Sequence, residues 1–285
     1  MAFTVACAQM APIKADVPRN LDHIAELARK AVDEGADLVV YPETAVTGYF
    51  LEGGVLEHAM SASGLLGEVS KRLTGLGKAV DLLIGYYEIE GGVLYNSAAY
   101  LEIGSGQDRV VHCYRKFFLP TYGLFDEERF VSRGSELGVF ESRLGTIGVL
   151  ICEDVWHSIL PTLSAVKGAQ VLLIPSASPA RGFEGEKPGN HDRYRRMLRA
   201  ICEEHGIFCV NAHLTGFEGG KGFIGGSFAV DPFGKVLAES PIQEEHLLVA
   251  PIDLDLIPIA RAATPLISDL RASWPTLTKI VEDLA

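Results

Sequence analysis

The chain has 285 residues, 48% hydrophobic and 22% charged, enough apolar material for one large α/β domain or two small ones. Its net charge of −12 argues against a nucleic-acid or anionic-membrane partner, because there is no basic surplus to displace counterions. Five cysteines is an odd number, and Cys7, Cys152 and Cys209 fall inside apolar runs, the pattern of free thiols in a reducing compartment rather than of a disulfide framework.

Phe3–Gln9 reads as a first strand with no basic segment ahead of it, so no signal peptide is expected. Pro18 suits a first helical turn after Asp16, and Leu21, Ile24, Leu27, Ala28 and Ala31 mark one helical face to about Glu34. Leu38–Tyr41 is a buried strand that Pro42-Glu43 closes, and 64–78 is a weaker helix. Leu82–Ile89 and Val93–Leu101 flank Glu90-Gly91-Gly92, a hairpin signal. Val110–Tyr114 is a strand ending in Arg115-Lys116, followed by a polar, aromatic loop over Phe117–Arg133. Leu137–Phe140 and Thr146–Ile151 form a second hairpin that leads into Cys152.

Past Cys152, a helix over 158–167 and a strand at Val171–Ile174 precede a Gly/Pro-rich loop to Gly189. A helix at about 190–205 follows, then strands at Ile207–Val210, Ser227–Val230, Val236–Ala238 and Leu247–Ile252. The tail, about 260–285, holds Trp274-Pro275 and a short terminal helix, expected to pack on a neighbouring subunit or to fray. No apolar stretch approaches the ~20 residues of a membrane span, and a cytoplasmic location is expected. No stretch looks like a linker, so residues 1–285 are read as one domain.

Gly35-Ala36-Asp37-Leu38-Val39-Val40-Tyr41-Pro42 is echoed by Gly168-Ala169-Gln170-Val171-Leu172-Leu173-Ile174-Pro175, each copy after a helix. The echo points to two similar halves, each offering a strand end to a shared cleft. Helix–strand alternation mixed with hairpins implies mixed sheets with helices outside them.

Three apolar runs end in a reactive side chain: Leu38–Tyr41 at Glu43, Val110–Tyr114 at Lys116, and Ile147–Ile151 at Cys152. Ligands of open α/β sheets bind beyond the carboxyl ends of strands. Alone, each residue has a dull explanation as a solvated cap, a surface amine or a small core thiol. Together an acid, an amine and a thiol complement one another. A thiol where a strand gives way to a helix feels the positive end of the helix dipole, which favours thiolate. Glu43 could take its proton, and Lys116 could offset charge and donate to an oxyanion. That chemistry is attack on a carbonyl or nitrile carbon, ending in a thioester that water cleaves.

Tyr41-Pro42-Glu43, Tyr114-Arg115-Lys116 and Ile151-Cys152-Glu153-Asp154 resemble the three signatures of the nitrilase, or carbon–nitrogen hydrolase, superfamily. The similarity runs from Val5-Ala6-Cys7-Ala8-Gln9 to Leu247–Ile252 and includes Asn211 and Gly226–Gly234. The resemblance implies a four-layer αββα sandwich of two mixed β-sheets in pseudo-two-fold halves. It implies a Glu-Lys-Cys triad, with Glu43 as general base and later acid, Lys116 stabilising the tetrahedral intermediate, and Cys152 as nucleophile. The Glu153 backbone N–H would complete the oxyanion hole. A second glutamate after the lysine is matched by Glu127, with Glu128 as the alternative. The acidic pair after Cys152, with Leu119–Glu127 and Pro175–Pro179, looks more like the glutamine-amidase domains of NAD synthetases than like nitrilases with an aromatic residue there.

The expected activity is therefore cofactor-free hydrolysis of a small linear amide, an ω-amide or carbamoyl-amine, releasing ammonia or amine. The alternatives are an acyl or ammonia transferase, or a glutaminase subunit feeding a partner protein, and then a nitrilase. A homodimer or higher homo-oligomer follows from the resemblance. Tyr49, Tyr122, Trp156, His157, Ser176 and Phe183 are the candidate substrate-lining residues. Cys202, His205, Cys209 and His213 have metal-like spacing, but a buried strand cysteine explains it more simply, and no metal is expected. Arg193, Arg195, Arg196 and Arg199 on one helix read as a solvated or subunit-contact face, with recognition of an acidic substrate as the alternative.

Overall fold

The computed structural model describes residues 1–185 and 187–284. In the first half, β1 (Ala2–Gln9) leads to α1 (Val17–Asp33) and β2 (Leu38–Val40). Two further helices, α2 (Val55–His58) and α3 (Ala62–Arg72), precede the hairpin of β3 (Val80–Glu90) and β4 (Val93–Ile103), and β5 (Arg109–Arg115) ends this half. The second half opens with the hairpin of β6 (Gly138–Ser142) and β7 (Gly145–Val149) and continues through α4 (Ile159–Lys167) to β8 (Val171–Ser176). A small hairpin of β9 (Phe183–Glu184) and β10 (Lys187–Pro188) leads into α5 (Gly189–His205) and β11 (Phe208–His213). A second small hairpin, β12 (Phe217–Glu218) and β13 (Lys221–Gly222), precedes β14 (Phe228–Val230) and β15 (Val236–Glu239). The chain closes with β16 (His246–Asp253), α6 (Leu256–Ala263) and α7 (Leu266–Glu282).

Two six-stranded sheets result, ordered β16-β1-β2-β3-β4-β5 and β6-β7-β8-β11-β14-β15. Read in that direction, both show the same pairing senses: antiparallel, parallel, parallel, antiparallel, antiparallel. The pseudo-two-fold expected from the sequence echo is thus present strand for strand, with β16 returning from the far end of the chain to complete the first sheet. The echoed segments become β2 and β8, the centre of each parallel trio.

Strand periodicity explains the layers. Alternate residues of a strand face opposite sides. Val5, Cys7, Leu38, Val40, Leu83 and Tyr100 join the core between the sheets, where they meet Val149, Val171, Leu173 and Val210. Their neighbours Ala6, Ala8, Val39, Leu82 and Ile84 face outward, under Leu21, Ile24 and Ala28 of α1 and Leu65 and Val69 of α3. Every strand in this trio is buried on both faces, so its sequence is a continuous apolar run rather than an alternation. The architecture is an αββα sandwich.

The tail differs from the sequence reading: two helices replace one short one, and Pro275 lies inside α7. Only Ile267 of α7 is buried, against its own chain's α4 and α5, so little packing is lost where proline removes a helix hydrogen bond. Among the described residues, no helix is long and apolar enough to cross a membrane.

One glycine decides how closely β3 approaches the turn after β2. A Cβ on Gly85 would lie 2.3 Å from the Pro42 carbonyl oxygen and 2.7 Å from the Glu43 Cα. Gly85→Ala is expected to cost about 1–3 kcal/mol by forcing these backbones apart. Urea unfolding of the purified variant measures it, and an unchanged midpoint contradicts the close approach.

Candidate active site

Glu43 follows the end of β2, Lys116 follows β5, and Cys152 follows β7. Both ends of the lysine's backbone are fixed, its N–H donating to the Asn96 carbonyl and its carbonyl accepting from Gly134. The Lys116 side chain is wholly buried, and its ammonium donates to Glu43 Oε1 and Glu127 Oε1, each at 2.6 Å. Asn96 Nδ2 on β4 donates to the same Glu43 oxygen at 2.8 Å. The Ala177 backbone N–H, just past β8, donates to Glu43 Oε2 at 2.8 Å.

Glu127 stands in a single 3₁₀ turn, Glu127–Arg129, and also accepts from the Tyr49 hydroxyl. Its Oε2 is buried without a hydrogen-bond partner among the described residues. Glu128 turns outward to Arg133, so of the two acidic residues Glu127 enters the cluster.

Two carboxylates share one ammonium. Burial raises the Glu127 carboxyl most, the charge of Glu43 adds to the rise, and Lys116 opposes it, leaving Glu127 at about 7. For Lys116, burial acts downward, but attraction to Glu127 and Glu43 outweighs it and holds the ammonium well above its ordinary range.

Cys152 has φ of +47°, a left-handed conformation uncommon outside glycine, and Thr44, next to Glu43, has φ of +52°. Asp154 holds the turn at Cys152 in place. One of its oxygens accepts from the Ile151 N–H and the Tyr114 hydroxyl, the other from the N–H groups of Phe117 and Phe118. The same carboxylate therefore fixes the segment that follows Lys116 and the turn that carries the sulfur. The Cys152 Sγ lies 3.2 Å from the Tyr194 hydroxyl of α5.

From sequence, this thiol is expected at a helix start that favours thiolate. The structure has only a 3₁₀ turn there, Cys152–Trp156, too short to supply much dipole. Burial pushes the thiol upward, Glu43 pushes it further, and Lys116 and the Tyr194 hydroxyl act against the rise.

The expected lining residues divide. Tyr122, Trp156 and His157 line a cleft of about 750 Å³ beside Glu153. The Tyr122 hydroxyl donates to the Glu153 carboxylate, and His157 stacks on Phe118 at 3.8 Å between centroids. Tyr49 lies outside this cleft, against the Glu127 side of the cluster. It is buried, its hydroxyl turned to Glu127 and its backbone N–H donating to Glu218, and it lines a separate cavity of about 290 Å³. Ser176 is wholly buried as the last residue of β8, its hydroxyl accepting from Asn211 Nδ2 at 2.9 Å. The strand runs two residues past its expected end at Ile174, which turns that hydroxyl into the sheet. Phe183 is exposed and lines another groove, with Pro179, Phe217 and Phe223.

Four participants escaped the sequence reading: Asn96, Asp154, Ala177 and Tyr194. The acid right after the Cys-Glu pair was the one visible signal among them, and it read as part of a motif rather than as a clamp. Asn211, noted only by resemblance, ties β11 to the Ile174 carbonyl and to Ser176. It thereby steadies the segment that presents the Ala177 N–H.

A family model described as carbon–nitrogen hydrolase matches residues 4–262. The chain belongs to that family. A glutamine-dependent NAD(+) synthetase from Thermotoga maritima is 32% identical over 253 residues, covering 88% of this chain and 42% of that protein. The structure of a glutamine-dependent NAD+ synthetase from Acinetobacter baumannii superposes with a TM-score of 0.78 at 28% identity, over 90% of this chain and 47% of that one. The chain spans less than half the length of these two relatives. An amidase from Nesterenkonia sp. superposes with a TM-score of 0.73 at 28% identity, over 95% of this chain and 96% of that one. In a mutant of that amidase, acrylamide has undergone Michael addition at the active site cysteine.

In this carbon–nitrogen hydrolase Asp154 is met by four donors, and its isostere asparagine can accept with only one of its two terminal atoms. An amide in its place turns an N–H₂ group against donors that now meet an oxygen. Asp154→Asn is expected to lose about 2–4 kcal/mol of stability and to slow turnover through a displaced sulfur. Chemical denaturation measures the first effect; a variant as stable as the parent contradicts the clamp.

Proposed function

We propose that this carbon–nitrogen hydrolase is a glutamine-type amidase, which cleaves a terminal carboxamide through a Cys152 thioester and yields ammonia for an acceptor on a partner protein or domain. The observation that carries the reading is the Lys116 ammonium clamped between Glu43 and Glu127 beside the buried Cys152 thiol. The similarity to glutamine-dependent synthetases supports the choice of amide and the fate of ammonia.

The steps follow from the charges. Cys152 Sγ attacks the carboxamide carbon while its proton passes to Glu43. The carbonyl oxygen becomes an oxyanion facing the Lys116 ammonium and the Glu153 backbone N–H. The C–N bond breaks, Glu43 returns the proton to the leaving nitrogen, and ammonia departs from a thioester. Water, giving its proton to Glu43, then attacks the thioester carbon, and the carboxylic acid leaves as the thiol reforms. Glu127 and Asn96 act as positioning residues, holding Lys116 and Glu43 against each other.

A second reading, a stand-alone amidase of short aliphatic amides, is favoured by the match with the Nesterenkonia amidase along nearly the whole of both chains. Ammonia release from glutamine set against acetamide separates the two.

Cys152→Ala is expected to lose at least about 10⁴-fold in ammonia release while keeping its far-ultraviolet circular dichroism. Mass spectrometry of the parent with its amide is expected to find the acyl mass on the Cys152 peptide, and added hydroxylamine to trap it as a hydroxamate. Undiminished turnover by the alanine variant sinks the thioester route.

A further inference from the structure

The Tyr194 hydroxyl lies 3.2 Å from Cys152 Sγ, yet no proton passing between sulfur and Glu43 travels through it. Tyr194 is wholly buried on the inner face of α5, in line with Leu198, Ile201 and Cys202 of the core. Two rings brace it. Trp156 stands edge-on at 5.1 Å between centroids, and His213, at the end of β11, edge-on at 4.7 Å. A side chain packed in this way cannot swing, so its hydroxyl stays aimed at the sulfur.

The direction of this hydrogen bond follows from the neighbours. Among the described residues Cys152 Sγ has two partners, the Tyr194 hydroxyl and the Ala177 carbonyl at 4.0 Å. A carbonyl oxygen can only accept, so the single thiol proton is the one directed to Ala177. The Ala177 N–H already donates to Glu43 Oε2, which puts the resting thiol proton beside the residue that meets the general base. The phenol proton has no other acceptor nearby. Trp156 offers only an N–H, and neither ring nitrogen of His213 has a hydrogen-bond partner among the described residues. The Tyr194 O–H therefore donates to a lone pair of the sulfur.

The molecule holds a second pair of this kind, Tyr86 and Cys113, also 3.2 Å apart. Cys113 has Glu88 and Arg115 for charged neighbours rather than Glu43 and Lys116, and it lines a separate small cavity. There the phenol only finds a partner for its polar tip. The same contact is thus present once with the reactive groups and once without them.

We propose that Tyr194 is a further catalytic residue, whose hydroxyl donates to Cys152 Sγ while that atom carries negative charge. The proposal rests on the amidase reading. Charge appears on sulfur twice: as the S–H bond breaks toward Glu43 during attack, and as the thioester C–S bond breaks under attack by water. The phenol keeps its proton in both steps, so the proton of the thiol still passes to Glu43 and returns. Lys116 and the Glu153 N–H serve the substrate oxygen, and Tyr194 serves the sulfur. A donor to an atom that gains charge binds more strongly in the transition state than at rest.

Tyr194→Phe removes the oxygen and leaves the ring. In this variant kcat for glutamine or acetamide, whichever the parent cleaves, is expected to fall about tenfold to a hundredfold, with KM within about threefold. Alkylation of Cys152 by iodoacetamide at pH 8, followed by mass spectrometry of its peptide, is expected to slow at least about threefold. The loss of thiolate is only half offset by the greater nucleophilicity of a more basic sulfur. Cys113 in the same samples is expected to keep its rate. An unchanged kcat, or a Cys152 rate unchanged against that of Cys113, overturns the proposal. Should Tyr194→Phe fail to fold, 3-fluorotyrosine at this position, a stronger donor of nearly the same size, is expected to quicken Cys152 alkylation, and an unaltered rate overturns it. Should the parent cleave neither amide, the amidase reading fails, and the alkylation ratio still decides whether Tyr194 donates to the sulfur.

Discussion

A lysine ammonium with no access to water is the constraint around which this molecule is arranged. Lys116 is only 1% exposed, and taking such a charge out of solvent costs several kcal/mol unless partners and hydrogen bonds repay it. Glu43 and Glu127, each at 2.6 Å, do so. The dependence runs both ways, because without the ammonium two carboxylates would face one another in the same dry space. The strand ends, the tight Gly85 approach and the fixed backbone of Lys116 all serve to bring three ionisable groups from distant parts of the chain within reach.

The pseudo-two-fold explains why those ends meet. The echoed segments close β2 and β8, and beyond their prolines the two copies touch: Glu43 from one accepts a hydrogen bond from the Ala177 N–H of the other. The symmetry of the scaffold is then broken by chemistry. One copy supplies a carboxylate, the other a backbone donor, and the cysteine and lysine come from strands that have no such echo in the sequence. The left-handed residues Thr44 and Cys152 lie where the backbone must turn sharply out of a parallel trio, and the hydrogen bonds around each absorb that strain.

What the sequence disclosed follows from where information is local. Apolar runs with abrupt polar ends mark buried strands and what they deliver, so Glu43, Lys116 and Cys152 were legible, as were the layers and the two halves. Glu127 was legible only through family likeness, since an acidic run in a loop carries no local sign of burial. Asn96 and Tyr194 sit within an ordinary strand and an ordinary helix, and only the pairing of β4 with β5 and the docking of α5 turn them toward the cluster. Tyr49, Ser176 and Phe183 show the converse. Each lies in a segment near the cleft, but the direction of a side chain there is set by two-residue differences in strand length and by contacts with the far hairpin at Glu218.

The electrostatics also bear on how such a site operates. Glu43 and Glu127 against Lys116 put a surplus of acidic groups in the closed pocket, and burial first, then the charge of Glu43, raises the Glu127 carboxyl to about 7 against the pull of Lys116. A thiolate added to this space would deepen the surplus, which is why burial and Glu43 both drive the sulfur toward its protonated form. Both act against a resting ion pair between thiolate and lysine. On the proposed route the proton leaves sulfur for Glu43 as the substrate oxygen takes up charge beside Lys116, so the total charge inside the pocket is the same before and after attack. The negative charge only changes place, from a carboxylate the ammonium already holds to an oxyanion the same ammonium can reach. A preorganised dry site lowers a barrier in that circumstance, because nothing has to be resolvated as the bond forms.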